Sequence, residues 1–182
     1  EEIKQVRERH GLKRLTFADD LFTIDKKWVM DFCRVYKEEV GLPFVCQTRA
    51  DLMDDDLAKA LKEANCDSLD FAIESGNDHI RNDILKRNMS KEQILSASKV
   101  LNRHKLKFST LNLVGVPDES VENAFETLEL NAKCHPSYAA VYIYQPYAGL
   151  KLTEYSIEKG YLPKDFDDYL DYHENVVLDL KN

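Results

Sequence analysis

The side chains with the most chemical reach stand where apolar runs stop. In Ser68 to Asn88, reading SLDFAIESGNDHIRNDILKRN, the run Leu69, Phe71, Ala72 and Ile73 has the length and residue type of a strand buried on both faces, and it ends on a carboxylate, Glu74. A buried carboxylate without a partner costs several kcal/mol, so Glu74 needs a cation, a hydrogen-bonding ligand or water. Arg87 is the nearest strong candidate, with room for a ligand to stand between the two. Ser75, Gly76 and Asn77 spell a turn, and Asp78 is placed to cap a helix that carries Arg81, Lys86 and Arg87.

The same punctuation recurs along the chain. RLTFA, residues 14–18, ends on Asp19 and Asp20; FVCQT ends at Arg49; KFSTLNLV, residues 107–114, carries Asn112 and stops at Gly115; YAAVYIYQ, residues 138–145, finishes on Tyr144 and Gln145 before Pro146. Polar or glycine signals therefore close five apolar runs at their C-terminal ends. In a parallel barrel that edge binds ligands, because the loops there converge over one mouth.

The elements between these runs read as helices. Gly11 sits where a left-handed stop belongs after Glu2 to His10. Asp25 caps a helix through Val40, with Trp28, Val29, Phe32, Val35 and Tyr36 on one stripe. Asp54, Asp55 and Asp56 put negative charge at the first turn of the next. Ser90 and Gln93 form the ends of a capping box for residues 91–104. Val121, Ala124, Phe125, Leu128 and Ala132 share a helical spacing, and a short helix near residues 151–159 ends at Gly160. Strand and helix alternate five times with no hairpin pair, which predicts parallel strands joined by right-handed crossovers. An open doubly wound sheet would carry a glycine-rich phosphate loop after its first strand, where this chain has Asp19 and Asp20, so a barrel is favoured. A full eight-unit barrel takes roughly 250 residues, so 182 supply part of one. The expected division is a barrel portion over 1–162 and an acidic surface extension over 163–182, which contains DFDDYLDYHE.

Composition narrows the function classes. Hydrophobic residues at 43% and aromatics at 10% indicate a folded globular chain. A net charge of −8 with scattered basic residues disfavours nucleic acid and acidic membrane as partners, and no apolar run is long enough to cross a bilayer. Cys33, Cys46, Cys66 and Cys134 lie far apart in sequence, which suits reduced, buried thiols in a cytoplasmic protein. His79, His104 and His135 show no paired metal spacing, Ser75 lacks the flanks of a hydrolase elbow, and the acidic tail lacks a calcium-loop pattern.

Taken in order and spacing, FADDLFT, QTRAD, FAIESGND with LKRNMS, LVGVPDES and IYQPYAGLKL resemble the radical S-adenosylmethionine enzymes, above all the cobalamin-binding class that includes the anaerobic magnesium-protoporphyrin ester cyclases. The resemblance runs from about Leu15 to Leu162. It implies a partial (β/α)6 barrel whose second to sixth strands are those found here. It further implies that Asp19 and Asp20 meet the methionine amino group, that Glu74 and Arg87 engage the methionine carboxylate and ribose, that Asn112 and Gly115 lie beside ribose and adenine, and that Tyr144 and Gln145 contact adenine. Arg49 would face S-adenosylmethionine or the substrate, a small molecule.

The family holds a [4Fe-4S] cluster on a Cys-x3-Cys-x2-Cys loop, a spacing this sequence lacks. The expectation is a catalytic-core piece of a longer enzyme, with the cluster loop and any cobalamin domain upstream of Glu1 and no cleavage of S-adenosylmethionine by this segment alone. In the intact protein the resemblance implies a 5'-deoxyadenosyl radical, followed by hydrogen abstraction, methyl transfer or cyclisation. Two other readings stand beside it: a metal-dependent barrel hydrolase or lyase using Asp19, Asp20 and Glu74, and a non-catalytic ligand-binding barrel.

Overall fold

The computed structural model describes residues 1–166 and 178–180. Five parallel strands form one sheet in sequential order: β1 Leu15–Thr16, β2 Phe44–Thr48, β3 Cys66–Glu74, β4 Lys107–Val114 and β5 Tyr138–Ile143. Among the described residues six α-helices alternate with them: α1 Glu2–His10, α2 Lys26–Glu39, α3 Asp55–Glu63, α4 Lys91–Arg103, α5 Val121–Cys134 and α6 Lys151–Glu158. Sequential strand order with a helix in each crossover is the arrangement of a partial (β/α) barrel, as the alternation predicts.

The helix starts follow from single side chains. Asp25 accepts from the Trp28 N–H and Asp54 from the Leu57 N–H, each at 3.0 Å, so α2 and α3 begin where the sequence places them. Gly11 closes α1 in the left-handed conformation, with φ 64°. The strand β2 runs parallel to β3, Cys46 opposite Leu69 and Thr48 opposite Phe71, after an irregularity between Phe44 and Val45.

Three details differ from the sequence reading. Regular pairing in β1 covers only two residues instead of five, yet the chain continues beside β2: Phe17 N–H bonds Val45 O at 2.9 Å and Phe22 N–H bonds Gln47 O at 3.1 Å. The expectation that β3 is buried on both faces gives way to alternation, with Leu69, Phe71 and Ile73 buried and Asp70, Ala72 and Glu74 half-buried. And the apolar stripe of α5 faces out, leaving Val121, Phe125 and Leu128 exposed. That helix instead turns Thr127 and Asn131 inward, where they satisfy the Gly76 N–H and the Asn112 side chain.

The chain divides into two compact units. The first comprises Glu1–Ala72, Glu92–Thr110 and Cys134–Tyr138, and its apolar interior includes a cluster of rings. Phe17, Phe22, Phe32, Tyr36 and Phe44 meet at ring separations between 5.0 and 6.3 Å, and Phe71 stacks on Phe108 at 5.4 Å. The second comprises Ile73–Lys91, Leu111–Lys133 and Ala139–Asn182. Its apolar centre is Ile80, Val116, Tyr144, Leu162 and Leu178. The acidic segment expected as a surface extension lies outside the described residues from 167 to 177; beyond it Leu178 is buried and Asp179 N–H bonds Tyr161 O at 3.0 Å. No helix among the described residues is long and apolar enough to cross a membrane.

Candidate functional site

The second unit contains the ends of three adjacent strands, β3, β4 and β5, and most of the expected site residues. Glu74 is the last residue of β3 and takes φ 63°, a left-handed conformation that costs any residue with a Cβ about 1 kcal/mol or more. The strain turns the chain sharply as the strand leaves the sheet. Arg87 returns to it: Arg87 Nε lies 3.7 Å from Glu74 Oε1, a pair with side chains 30% and 17% exposed. At that separation the two attract through space rather than by a charge-assisted hydrogen bond, which closes to about 2.8 Å. Burial pushes the Glu74 carboxyl above the ordinary glutamate value, and the Arg87 guanidinium pulls the other way without cancelling it.

The turn between them is built differently from the sequence expectation. Asn77, not Asp78, caps the following helical turn, its Oδ1 accepting from the Ile80 N–H at 3.1 Å. That turn is a π-helix over Ile80–Ile84. Asp78 is diverted to the guanidinium of Arg81, a residue with no exposed surface. Gly76 is required here because a Cβ would stand 2.2 Å from the Glu126 carbonyl oxygen on α5. Its N–H donates to Thr127 Oγ1 at 2.8 Å, and Asn77 Nδ2 donates to Glu126 at 2.6 Å, so the turn is bolted to that helix.

On β4, Asn112 is wholly buried; its Nδ2 donates to Ala140 O at 2.9 Å and its Oδ1 accepts from Asn131 Nδ2 at 2.8 Å. The amide ties β4 to β5 and α5. Gly115 follows with φ 74°, and its N–H donates to Glu119 Oε2 at 2.6 Å. Glu119 Oε1 is buried without a partner among the described residues, and burial pushes its carboxyl above the usual range. A cavity of about 370 Å3 beside Gly115 is lined by Val114, Glu119, Ser120 and Leu178. Just past β5, Tyr144 N–H bonds Val114 O at 2.8 Å while its ring packs in the apolar centre; Gln145, next along, is buried.

In the first unit, Asp19 and Asp20 are exposed in the turn after β1. Arg49, just past β2, makes a bidentate pair with Asp51 at 2.9 and 3.0 Å. Among the described residues no group of three His, Cys, Asp or Glu side chains is placed to hold a metal, which disfavours the metal-dependent hydrolase or lyase reading through Asp19, Asp20 and Glu74. All four cysteines are buried. Burial pushes the Cys33 thiol up to about 12, and the neighbouring Cys46 thiol together with burial pushes Cys66 up as well. Three thiolates must converge to hold such a cluster, and among the described residues none of these cysteines belongs to a group of three His, Cys, Asp or Glu side chains placed to hold a metal, so they do not fit a [4Fe-4S] cluster.

Glu74 and Arg87 are legible as a pair in the sequence; the buried bonds of Arg81, the close fit of Gly76 against α5 and the bond from Gly115 to Glu119 are not. For Gly76 and Glu119 a signal was present, a glycine two residues after a strand-end acid and an acid four residues after Gly115. For Arg81 there was none, since an arginine between two aspartates reads as a solvated helix face.

Comparison with known proteins settles the family. The model of the radical SAM superfamily matches residues 1–130. The chain belongs to the radical SAM superfamily. The reagents of that family are S-adenosylmethionine and a [4Fe-4S] cluster. Among curated relatives, an uncharacterized methyltransferase of Pyrococcus horikoshii is 29% identical over 163 residues, spanning 89% of this chain and 35% of that protein. Cytidylyl-2-hydroxyethylphosphonate methyltransferase of Streptomyces wedmorensis is 23% identical over 186 residues, spanning 97% of this chain and 35% of that protein. The chain thus spans about a third of the length of these relatives. Among solved structures, the radical S-adenosylmethionine methyltransferase TsrM of Kitasatospora setae, with cobalamin and a [4Fe-4S] cluster bound, superposes with a TM-score of 0.72 at 12% identity, over 87% of this chain and 32% of that one. That likeness confirms the barrel class of the fold.

Proposed function

We propose that this chain is the S-adenosylmethionine-holding part of a radical SAM enzyme, and that the complete protein is a methyltransferase acting on a small molecule, with cobalamin as a second cofactor. The observation that carries the reading is the Glu74–Arg87 pair: a part-buried acid, held in a strained turn at a strand end, facing a guanidinium at 3.7 Å. The methyltransferase relatives support the reaction class.

The residues suit the ligand. S-adenosylmethionine presents a carboxylate, an ammonium group, ribose hydroxyls and a flat base, and when bound it supplies a sulfonium whose attached carbons are reactive. The guanidinium of Arg87 offers two parallel donors to the carboxylate, which a lysine could not. Glu74 accepts from a ribose hydroxyl or the ammonium group, and Gly115, whose own N–H is spent on Glu119, presents no side chain to obstruct the ribose or base at the end of β4. Asn112, with its amide spent inside, holds the β4 end in register for this task. In the first unit, Asp19 and Asp20 for the amino group, and Arg49 for the cofactor or substrate, stand on the family resemblance.

Titration calorimetry with S-adenosylmethionine on the complete reconstituted protein tests the assignment. Arg87→Ala and Glu74→Ala should each weaken affinity about tenfold or more, the loss expected when a charge-assisted hydrogen bond of about 1.5–3 kcal/mol is removed. Unchanged affinity in both variants would remove the pair from the site.

A further inference from the structure

We propose that Arg81 is the positioning residue of the Glu74–Arg87 pair: its buried guanidinium clasps the two ends of the 74–89 segment together and so fixes where Arg87 stands relative to Glu74. This deepens the cofactor-binding reading above and rests on it.

Arg81 has no exposed surface, which for an arginine requires that every donor be answered. Nη1 donates to Ser75 O at 2.9 Å and reaches Gly76 O at 3.4 Å. Nε donates to Met89 O at 2.7 Å, and Nη2 donates to Asp78 Oδ1. The acceptors at the two backbone ends, Ser75 and Met89, are fourteen positions apart by their numbers but share one planar group. Ser75 is the neighbour of Glu74, and Met89 lies two residues past Arg87. Each member of the ion pair is therefore tethered close to an atom that Arg81 holds.

The backbone reinforces the clasp. Arg87 N–H bonds the Arg81 carbonyl at 3.0 Å, and Met89 N–H bonds Asn82 Oδ1 at 2.9 Å. The π-helical turn over Ile80–Ile84 closes with Leu85 N–H on Ile80 O at 2.9 Å, a wider ring than an α-turn. Only a rigid fork bonds both ends at once; a lysine ammonium, a point donor on a flexible stem, cannot span Ser75 and Met89 with fixed geometry. Arg81 itself is sealed from solvent and from any ligand, so it acts on the pair through the loop.

The test uses the complete reconstituted protein with three variants: Arg81→Lys, Asp78→Asn and Arg87→Ala. Calorimetry reads S-adenosylmethionine affinity, and amide hydrogen exchange without ligand reads the loop. Arg81→Lys should weaken affinity by about tenfold to a hundredfold, the loss that a displacement near 1 Å brings, and should speed exchange at the Arg87 and Met89 amides. Asp78→Asn, at a side chain 64% exposed, keeps an acceptor oxygen for Nη2 while removing its charge, and should give a smaller loss of affinity in the same direction with a modestly lower melting midpoint. If Arg81→Lys fails to fold, the Asp78→Asn result decides alone. Unchanged affinity and exchange in the Arg81 and Asp78 variants, with affinity lost in Arg87→Ala, would overturn the clasp while leaving the pair's role intact. Unchanged affinity in Arg87→Ala would instead overturn the pair's role and the clasp with it.

Discussion

The interior of the first unit is apolar, a cluster of rings beside aliphatic side chains such as Leu57, Leu61, Leu69 and Leu101. Phe17 lies 5.4 Å from both Phe32 and Phe44, Tyr36 lies 5.0 Å from Phe44, and in the same unit burial pushes the Cys33 and Cys66 thiols above their ordinary range. The second unit buries polar groups instead: the Arg81 guanidinium, the Asn112–Asn131 amides and the Glu119 carboxyl. Left-handed residues occur in both units, Asn65, Lys105 and His135 in the first and Glu74, Lys86, Asn88 and Asp118 in the second, where Asp118 accepts from Tyr161 at 2.6 Å and from Tyr155. Ring packing stabilises mainly through the apolar area it buries and is less directional than hydrogen bonding. Hydrogen-bonded networks are directional, costly when broken, and specify one geometry. A ligand site needs the second kind of construction, which is where Glu74 and Arg87 are found.

If that contrast is correct, deletion of a ring should be the most expensive change in the first unit. Phe44 has no exposed surface and touches four other rings. Phe44→Ala should cost about 3–5 kcal/mol in denaturant unfolding. A loss below about 1 kcal/mol, the range of surface substitutions, would mean the ring cluster is not what holds that unit.

In the second unit a single methyl group should be nearly as damaging. Gly76→Ala places a Cβ 2.2 Å from the Glu126 carbonyl oxygen, so the backbone must move. Overpacking of this kind costs about 1–3 kcal/mol, and the displaced turn should also lose the Gly76 N–H bond to Thr127. Thermal unfolding and S-adenosylmethionine titration should both register the change; full stability and affinity would show that the turn is not bolted to α5.

The smallest effect sharpens the comparison by pH. Because burial raises the Glu74 carboxyl above its ordinary 4.5, the folded protein holds that proton to higher pH than the unfolded chain does. Its contribution to stability therefore falls as the pH rises through that window, and the ionised form is the costly one. Glu74→Gln should match wild type below 4.5 and become the more stable of the two towards neutral pH. A thermal-melt series in which wild type gains on the glutamine variant as pH rises would reverse the assigned sign.

Much of the scaffold was legible in the sequence because its signals are local. Asp25, Asp54 and Gly11 cap helices with their own neighbours, Pro43 precedes β2 and Gly115 follows β4. Glu74 and Arg87 were legible as a pair because a strand-end acid needs a cation. What could not be read was decided by contacts distant in sequence. Asn77 and Asp78 are both good caps; the choice fell to Asn77 because Asp78 is needed by Arg81. The stripe Val121, Phe125 and Leu128 has the spacing of a buried face, but α5 turns Thr127 and Asn131 inward because buried amides and N–H groups elsewhere require them.

The claim on which the rest depends is that the polar strand ends of the second unit receive S-adenosylmethionine. Amide hydrogen exchange on the complete reconstituted protein, with and without the cofactor, measures this directly. Added S-adenosylmethionine should slow exchange across residues 74–89 and around Gly115 and Gln145. An exchange pattern unaltered over all three stretches at saturating cofactor would contradict the account.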